Sequence, residues 1–235
     1  MIELNLFLLQ FCAHLLADFV FQPQKMSDKK SRKIFSTYHL RHFLIVGIFS
    51  YLLAFDLGFW SAALLIAFLH MIIDILKSWL ILKFKGKNYF FADQLIHIIA
   101  ILLVTYLFSS LVGLNQYLEF SMKTIAIFTG IIFCTKPSNI IIKYLFVAFD
   151  IKTPDEDRNK KEELSLPNAG KLIGIAERLI ALALVIPGQY EALGLIIAAK
   201  SILRFNATPK SEYVLVGTLL SFGIAVFCGI LINSI

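Results

Sequence analysis

A chain of 235 residues that is 58% hydrophobic and only 16% charged, with a mean hydropathy of +0.78, excludes an ordinary soluble domain and predicts an integral membrane protein. The formal net charge of +6 is the counterpart of anionic lipid headgroups and is no sign of nucleic-acid binding. Three cysteines, Cys12, Cys134 and Cys228, stand singly in apolar segments, which excludes a zinc ribbon or a closely spaced redox pair and leaves them as packing residues.

Apolar runs of about twenty residues suffice to cross the hydrocarbon core. They predict an all-α, polytopic helical bundle with eight transmembrane helices, at about 4–22, 38–55, 58–83, 89–111, 119–149, 169–187, 189–206 and 211–233. The first has Glu3 as its only flanking charge, lacks a basic leader and carries His14 and Asp18, so it reads as a retained span rather than a cleaved signal. The fifth contains Lys136-Pro137, where proline removes a backbone donor, so it is expected to kink or to break into two shorter helices. Residues 1–149 thus form a membrane module, 150–168 a charged connection, and 169–235 a three-helix module packed on the first.

Lysine and arginine alternate across the short loops. Lys25, Lys29, Lys30, Arg32 and Lys33 crowd the first, Lys83, Lys85 and Lys87 the third, Lys152, Arg158, Lys160, Lys161 and Lys171 the fifth, and Arg204 and Lys210 the last. The loops around Asp56, Asn115 and Gly188 have almost no positive charge. Multi-pass insertion in the cytoplasmic (inner) membrane with both termini outside follows.

All five histidines fall between positions 14 and 97. His14 and Asp18, His70 and Asp74, and Asp93 and His97 are each four apart, and His39 precedes His42 by three, so each pair projects from one helix face. In the predicted topology all four sets fall in the inner leaflet, where an unpaired ionisable group is costly. Imidazole and carboxylate are ligands for a divalent metal, Zn first, with Mn or Fe as alternatives. The expected ligands are His14, Asp18, His39, His42, His70, Asp74 and His97, with Lys77 and Asp93 as catalytic candidates and Gln22 and Gln94 supporting the ligands from outside. Plainer readings stand beside these. His39 and His42 at the boundary also suit hydrogen-bonded or snorkelling roles, and Lys77, one turn after Asp74, either neutralises it or holds a phosphate. Glu177, Arg178, Lys200 and Arg204 form a second charged cluster, read as ion pairs that fix helix packing or as a cationic wall for an anionic headgroup.

The strings His14-Leu-Leu-Ala-Asp18-Phe-Val-Phe-Gln22, His70-Met-Ile-Ile-Asp74-Ile-Leu-Lys77 and Asp93-Gln94-Leu-Ile-His97 resemble the bacterial membrane family catalogued as domain of unknown function 3307. Ala199 to Phe205, with Glu212 and Gly217-Thr218, resembles the same family's second half. More distantly, the paired His-x-x-x-Asp motifs resemble membrane-bound metal-dependent hydrolase-like proteins and the helical superfamily of zinc-dependent phospholipases C and nucleases. Those secreted enzymes add an N-terminal Trp ligand, whereas this chain begins Met1-Ile2-Glu3.

Three functional classes follow. The first is a metal-dependent hydrolase at the inner leaflet acting on an anionic, phosphate-bearing lipid. The second is a metal-ion or proton-coupled transporter, and the third a structural or interaction protein in contact with membrane lipid. The absence of Gly and Pro around His14, His70 and His97 favours the enzyme over a transporter built on unwound helices.

Overall fold

The computed structural model of the protein describes residues 2–84, 89–151, 169–205 and 211–235. Among the described residues every regular element is helical. Helix α1 (Ile2–Leu15) runs directly into a π-helical turn (Leu16–Val20) and is followed by α2 (Gln24–Ser31) and α3 (Thr37–Ala54). A 3-10 turn (Leu57–Phe59) leads into α4 (Trp60–Lys83), and α5 (Phe90–Leu111) comes next. The rest is α6 (Met122–Phe133), α7 (Lys136–Ala148), α8 (Ala169–Val185), α9 (Tyr190–Phe205) and α10 (Ser211–Asn233).

Among the described residues three stretches are long and apolar enough to cross a membrane: Leu57–Lys83, Phe90–Leu111 and Leu215–Asn233. The number rises to five if α1 with α2, bent by 87°, and α6 with α7, bent by 52°, each count as one span. The eight expected from hydropathy are not reached, and the shortfall has local causes. Within the 18 residues of α3, His39, Arg41 and His42 displace apolar side chains, while α8 and α9 end after 17 and 16 residues. Positions 152–168, and with them most of the predicted charged connection, lie outside the described residues, as do Lys85, Lys87 and Lys210.

The chain divides into two compact units between Thr129 and Gly130. Residues 130–149, read from the sequence as part of the first module, therefore go with the second, because α7 packs on α8 and α10.

In the first unit α1, α3, α4 and α5 pack on one another, and each does so along a seam of period about 3.6. On α3 the seam is His42, Val46, Ser50 and Ala54, all buried, while Leu40, Leu44, Ile48 and Leu52 on the opposite side are exposed. On α4 it is Ile66, His70, Asp74 and Ser78, with Leu64, Phe68, Ile72 and Leu76 outside. Ionisable groups inside and leucines outside invert the pattern of a soluble bundle. So broad an apolar exterior is what a hydrocarbon solvent accommodates. Without a hydrophobic drive between helices in lipid, close approach depends on small residues. Gly47 supplies one: a Cβ there would lie 3.5 Å from that of Ala67, at the meeting of α3 and α4.

Asp56 closes the end of the unit away from the histidines. Its Oδ1 accepts the Gly58 N–H at 2.7 Å and its Oδ2 the Asn115 N–H at 2.7 Å, tying the α3–α4 turn to the chain after α5. Asp56→Ala removes both of these bonds, which lie at the half-exposed end of the unit, so it should lower stability by about 1–2 kcal/mol, read as an earlier thermal transition in detergent. A variant that melts with the parent would show that water replaces the carboxylate without penalty.

In the second unit the break between α6 and α7 is made by Pro137, as expected from the sequence. Proline has no N–H to offer the Phe133 carbonyl, and the Ser138 hydroxyl donates to it instead at 2.5 Å. Helices α8 and α10 pack closely at Gly229, where a Cβ would meet Val185 and lie 2.8 Å from that residue's own Cβ.

Candidate metal centre

The ends of the four seams opposite Asp56 bring six of the predicted residues to one place. Asp18 comes from the π-turn, where the amide of Phe21 bonds to the carbonyl of Leu16. Such wide turns recur at functional sites because they displace a side chain from the regular helical register. The Asp18 Oδ1 lies 3.1 Å from His42 Nε2 and 3.1 Å from His70 Nε2, and these two nitrogens are 3.0 Å apart. Asp74 Oδ2 stands 3.8 Å from both nitrogens. His14 Nδ1 lies 3.8 Å from Asp18 Oδ1, and the His14 and His70 rings are 5.4 Å apart, within reach of one shared centre. The His97 ring lies 3.9 Å from that of His70, tilted to it by 41°.

The geometry suits a divalent ion. Bonds of about 2.1 Å to a tetrahedral ion set its ligand atoms about 3.4 Å apart, and the five distances among Asp18, His42, His70 and Asp74 run from 3.0 to 3.8 Å. Charge points the same way. Among the described residues Asp74 is paired with Lys30 at 2.5 Å and Asp93 with Lys77 at 2.6 Å, whereas Asp18 faces only imidazoles. Four further buried atoms in this cluster, His14 Nδ1, His42 Nδ1, Asp93 Oδ1 and His97 Nε2, have no hydrogen-bond partner, in a protein interior where such atoms are rare.

Two ion pairs differ from the sequence reading. Lys77 does not neutralise Asp74; it reaches Asp93 on α5. Asp74 is matched by Lys30, which hydropathy assigned to a solvated basic loop. That loop folds as α2 after Pro23, turns back against α3 and α4, and buries the Lys30 side chain.

His39 falls in none of the candidate ligand groups among the described residues. The Ser36 N–H donates to its Nδ1 at 3.1 Å, so the ring proton is on Nε2, which faces the Ser78 hydroxyl at 3.4 Å. Both nitrogens are used, and His39 with Ser36 forms the cap of α3. Gln94 touches the cluster: its Oε1 lies 3.2 Å from His14 Nε2, and its amide donates to Asp93 Oδ2 at 3.1 Å. The side-chain nitrogen of Gln22 is buried without a hydrogen-bond partner among the described residues.

In the second unit Glu177 pairs with Lys200 at 2.6 Å. Arg178 belongs to a different arrangement and is fully buried among carbonyls and hydroxyls. The side chain of Arg204 lies outside the described ones.

Fold and cluster together define a helical protein with apolar helices of membrane-crossing length and a buried histidine–aspartate centre in its N-terminal unit. The chain belongs to the family described as protein of unknown function (DUF3307), whose profile matches residues 6–127 and so spans every residue of that centre. The C-terminal stretch from Ala199 to Thr218 lies beyond the match. No curated protein and no solved structure matches the chain.

Proposed function

We propose that the N-terminal unit is a membrane-embedded, metal-dependent hydrolase of the inner membrane, with Asp18, His42 and His70 as its principal ligands and Zn as the first-choice ion, ahead of Mn or Fe. The observation that carries this reading is the convergence of Asp18 Oδ1, His42 Nε2 and His70 Nε2 within 3.1 Å of one another. Three such ligands leave a coordination position open, as catalytic sites require. The chemistry an ion supplies there is Lewis acidity, which makes water a nucleophile near neutral pH and polarises a phosphoryl oxygen.

The chain's own groups arrange the rest. Gln94 holds the His14 ring, Lys30 holds Asp74, and Asp93 holds Lys77 at the edge of the cluster, where its ammonium can meet an anionic substrate. The natural substrate is a lipid-linked phosphoester. Eight crossings, with α3, α8 and α9 as short spans and both termini outside, would put the cluster beside the basic loops and the inner-leaflet headgroups. A transport site is the second reading. The π-turn that carries Asp18 favours it, since a wide turn can shift register between two ligand sets.

The test is the full chain purified in mild detergent without chelator, its metal content measured, then assayed for phosphate release from vesicles containing lipid phosphates. Stoichiometric metal with chelator-sensitive release is expected. Metal without release, but with Zn uptake into proteoliposomes, would assign the site to transport. A folded chain that takes up neither Zn nor Mn would overturn both and leave a structural or interaction role.

A further inference from the structure

We infer that the N-terminal unit holds a second divalent ion, on Asp74, Asp93 and His97, beside the one proposed on Asp18, His42 and His70. His97 is buried on α5, and its Nδ1 lies 2.9 Å from the Asp93 carbonyl oxygen, an acceptor only. The ring proton is therefore on Nδ1, and Nε2 presents a lone pair. That nitrogen is buried without a partner, and so is Asp93 Oδ1. Both atoms are acceptors, so neither can satisfy the other. Ligand atoms of Asp74, Asp93 and His97 all lie within 4.8 Å of one another, and Asp74 stands in the same relation to His42 and His70. Asp74 is thus common to two ligand sets, the position of a bridging carboxylate.

The remaining oxygen of Asp93 explains what Lys77 does in the absence of that ion. Its Nζ is 2.6 Å from Asp93 Oδ2, yet the Lys77 side chain is 28% exposed where that of Asp93 is 2%. The lysine reaches inward from the edge and can withdraw along its flexible stem. A divalent ion beside Asp93 repels the ammonium, and the displaced lysine becomes free to bind a phosphate. Ions in pairs stabilise both the attacking and the leaving oxygen of a phosphoryl transfer, which suits the phosphoester substrate proposed above. Only this substrate class rests on the hydrolase reading; the number of ions does not.

The experiment is a titration of the chelator-stripped full chain in nanodiscs with Zn or Mn, counting bound ions. Two per chain are expected, falling to one in Asp93→Asn and in His97→Ala. Lys77→Gln, at the partly exposed edge of the cluster, should retain two and bind the weaker about tenfold more tightly, because a competing positive charge is gone. One ion in the parent chain, or two retained in both Asp93→Asn and His97→Ala, would overturn the second site while leaving the first intact, with ordered water as the partner of His97 and Asp93. No bound ion at all would remove both. Weaker binding in Lys77→Gln would equally overturn the competition between lysine and ion.

Discussion

Replacing His70 by alanine should leave the chain in the membrane but weaken the ion at Asp18 and His42 by at least about a hundredfold, and abolish any activity that depends on it. The loss is large because His70 Nε2 is a corner of the ligand triangle, 3.0 Å from His42 Nε2 and 3.1 Å from Asp18 Oδ1, while the next ligand atoms, His14 Nδ1 and Asp74 Oδ2, stand farther off at 3.8 Å from Asp18 and His42, respectively. Even residues that merely orient ligands are worth ten- to a hundredfold in metal affinity, so a ligand sets the lower bound at that scale. His39→Ala provides the contrast. Its two ring nitrogens are occupied by Ser36 and Ser78, so it should keep the full complement of metal and lose only the α3 cap, about 1 kcal/mol of stability. Metal analysis with a thermal melt on both variants separates the roles. Equal metal in His70→Ala and the parent would dismiss the triangle as a ligand set.

The sequence made the helical class and the inward-facing pairs legible because both depend on spacing alone. An apolar run long enough to cross lipid and an ionisable pair four residues apart are local facts, and helix geometry converts them directly into shared faces. What spacing cannot convey is which face meets which. Lys77 follows Asp74 by one turn, yet its partner is Asp93 on the next helix. Lys30 sits in a run of lysines with the composition of a solvated loop, and only the turn at Pro23 and the packing of α2 on α3 and α4 make it a buried counter-ion. The π-turn at Asp18 has no signature of its own in the run Leu16-Ala-Asp-Phe-Val20. His39 shows the converse. Ser36 three residues before it was a readable cap, obscured by the company of four other histidines.

Arg178→Leu should be the most destabilising single change in the C-terminal unit, by about 3–5 kcal/mol, well beyond any effect of breaking the neighbouring Glu177–Lys200 pair. Pro137 ends α6 early and leaves carbonyls without helical donors inside an apolar unit, where unsatisfied backbone is expensive. Arg178 supplies the donors. Its Nε bonds to the Cys134 carbonyl at 2.7 Å, and its Nη2 to the Thr135 carbonyl at 3.2 Å and to Asn139 Oδ1 at 2.6 Å. Its Nη1 donates to the Ser221 hydroxyl at 3.0 Å, so one side chain joins α8 to the α6–α7 break and to α10. None of these acceptors is a carboxylate; the carbonyls at the C-terminal end of α6 take the guanidinium's hydrogen bonds, and the neighbouring Glu177 adds a favourable charge. Arg178→Lys should recover little, because a compact ammonium cannot reach four acceptors spread over a planar fork. Glu177→Gln touches a pair whose side chains are 18% and 17% exposed and should cost no more than about 1 kcal/mol. Thermal unfolding of the three variants in one detergent gives the order. If Arg178→Leu melts within a degree or two of Glu177→Gln, the guanidinium does not hold the break together, and the helix ends at Pro137 must be satisfied by some other donor.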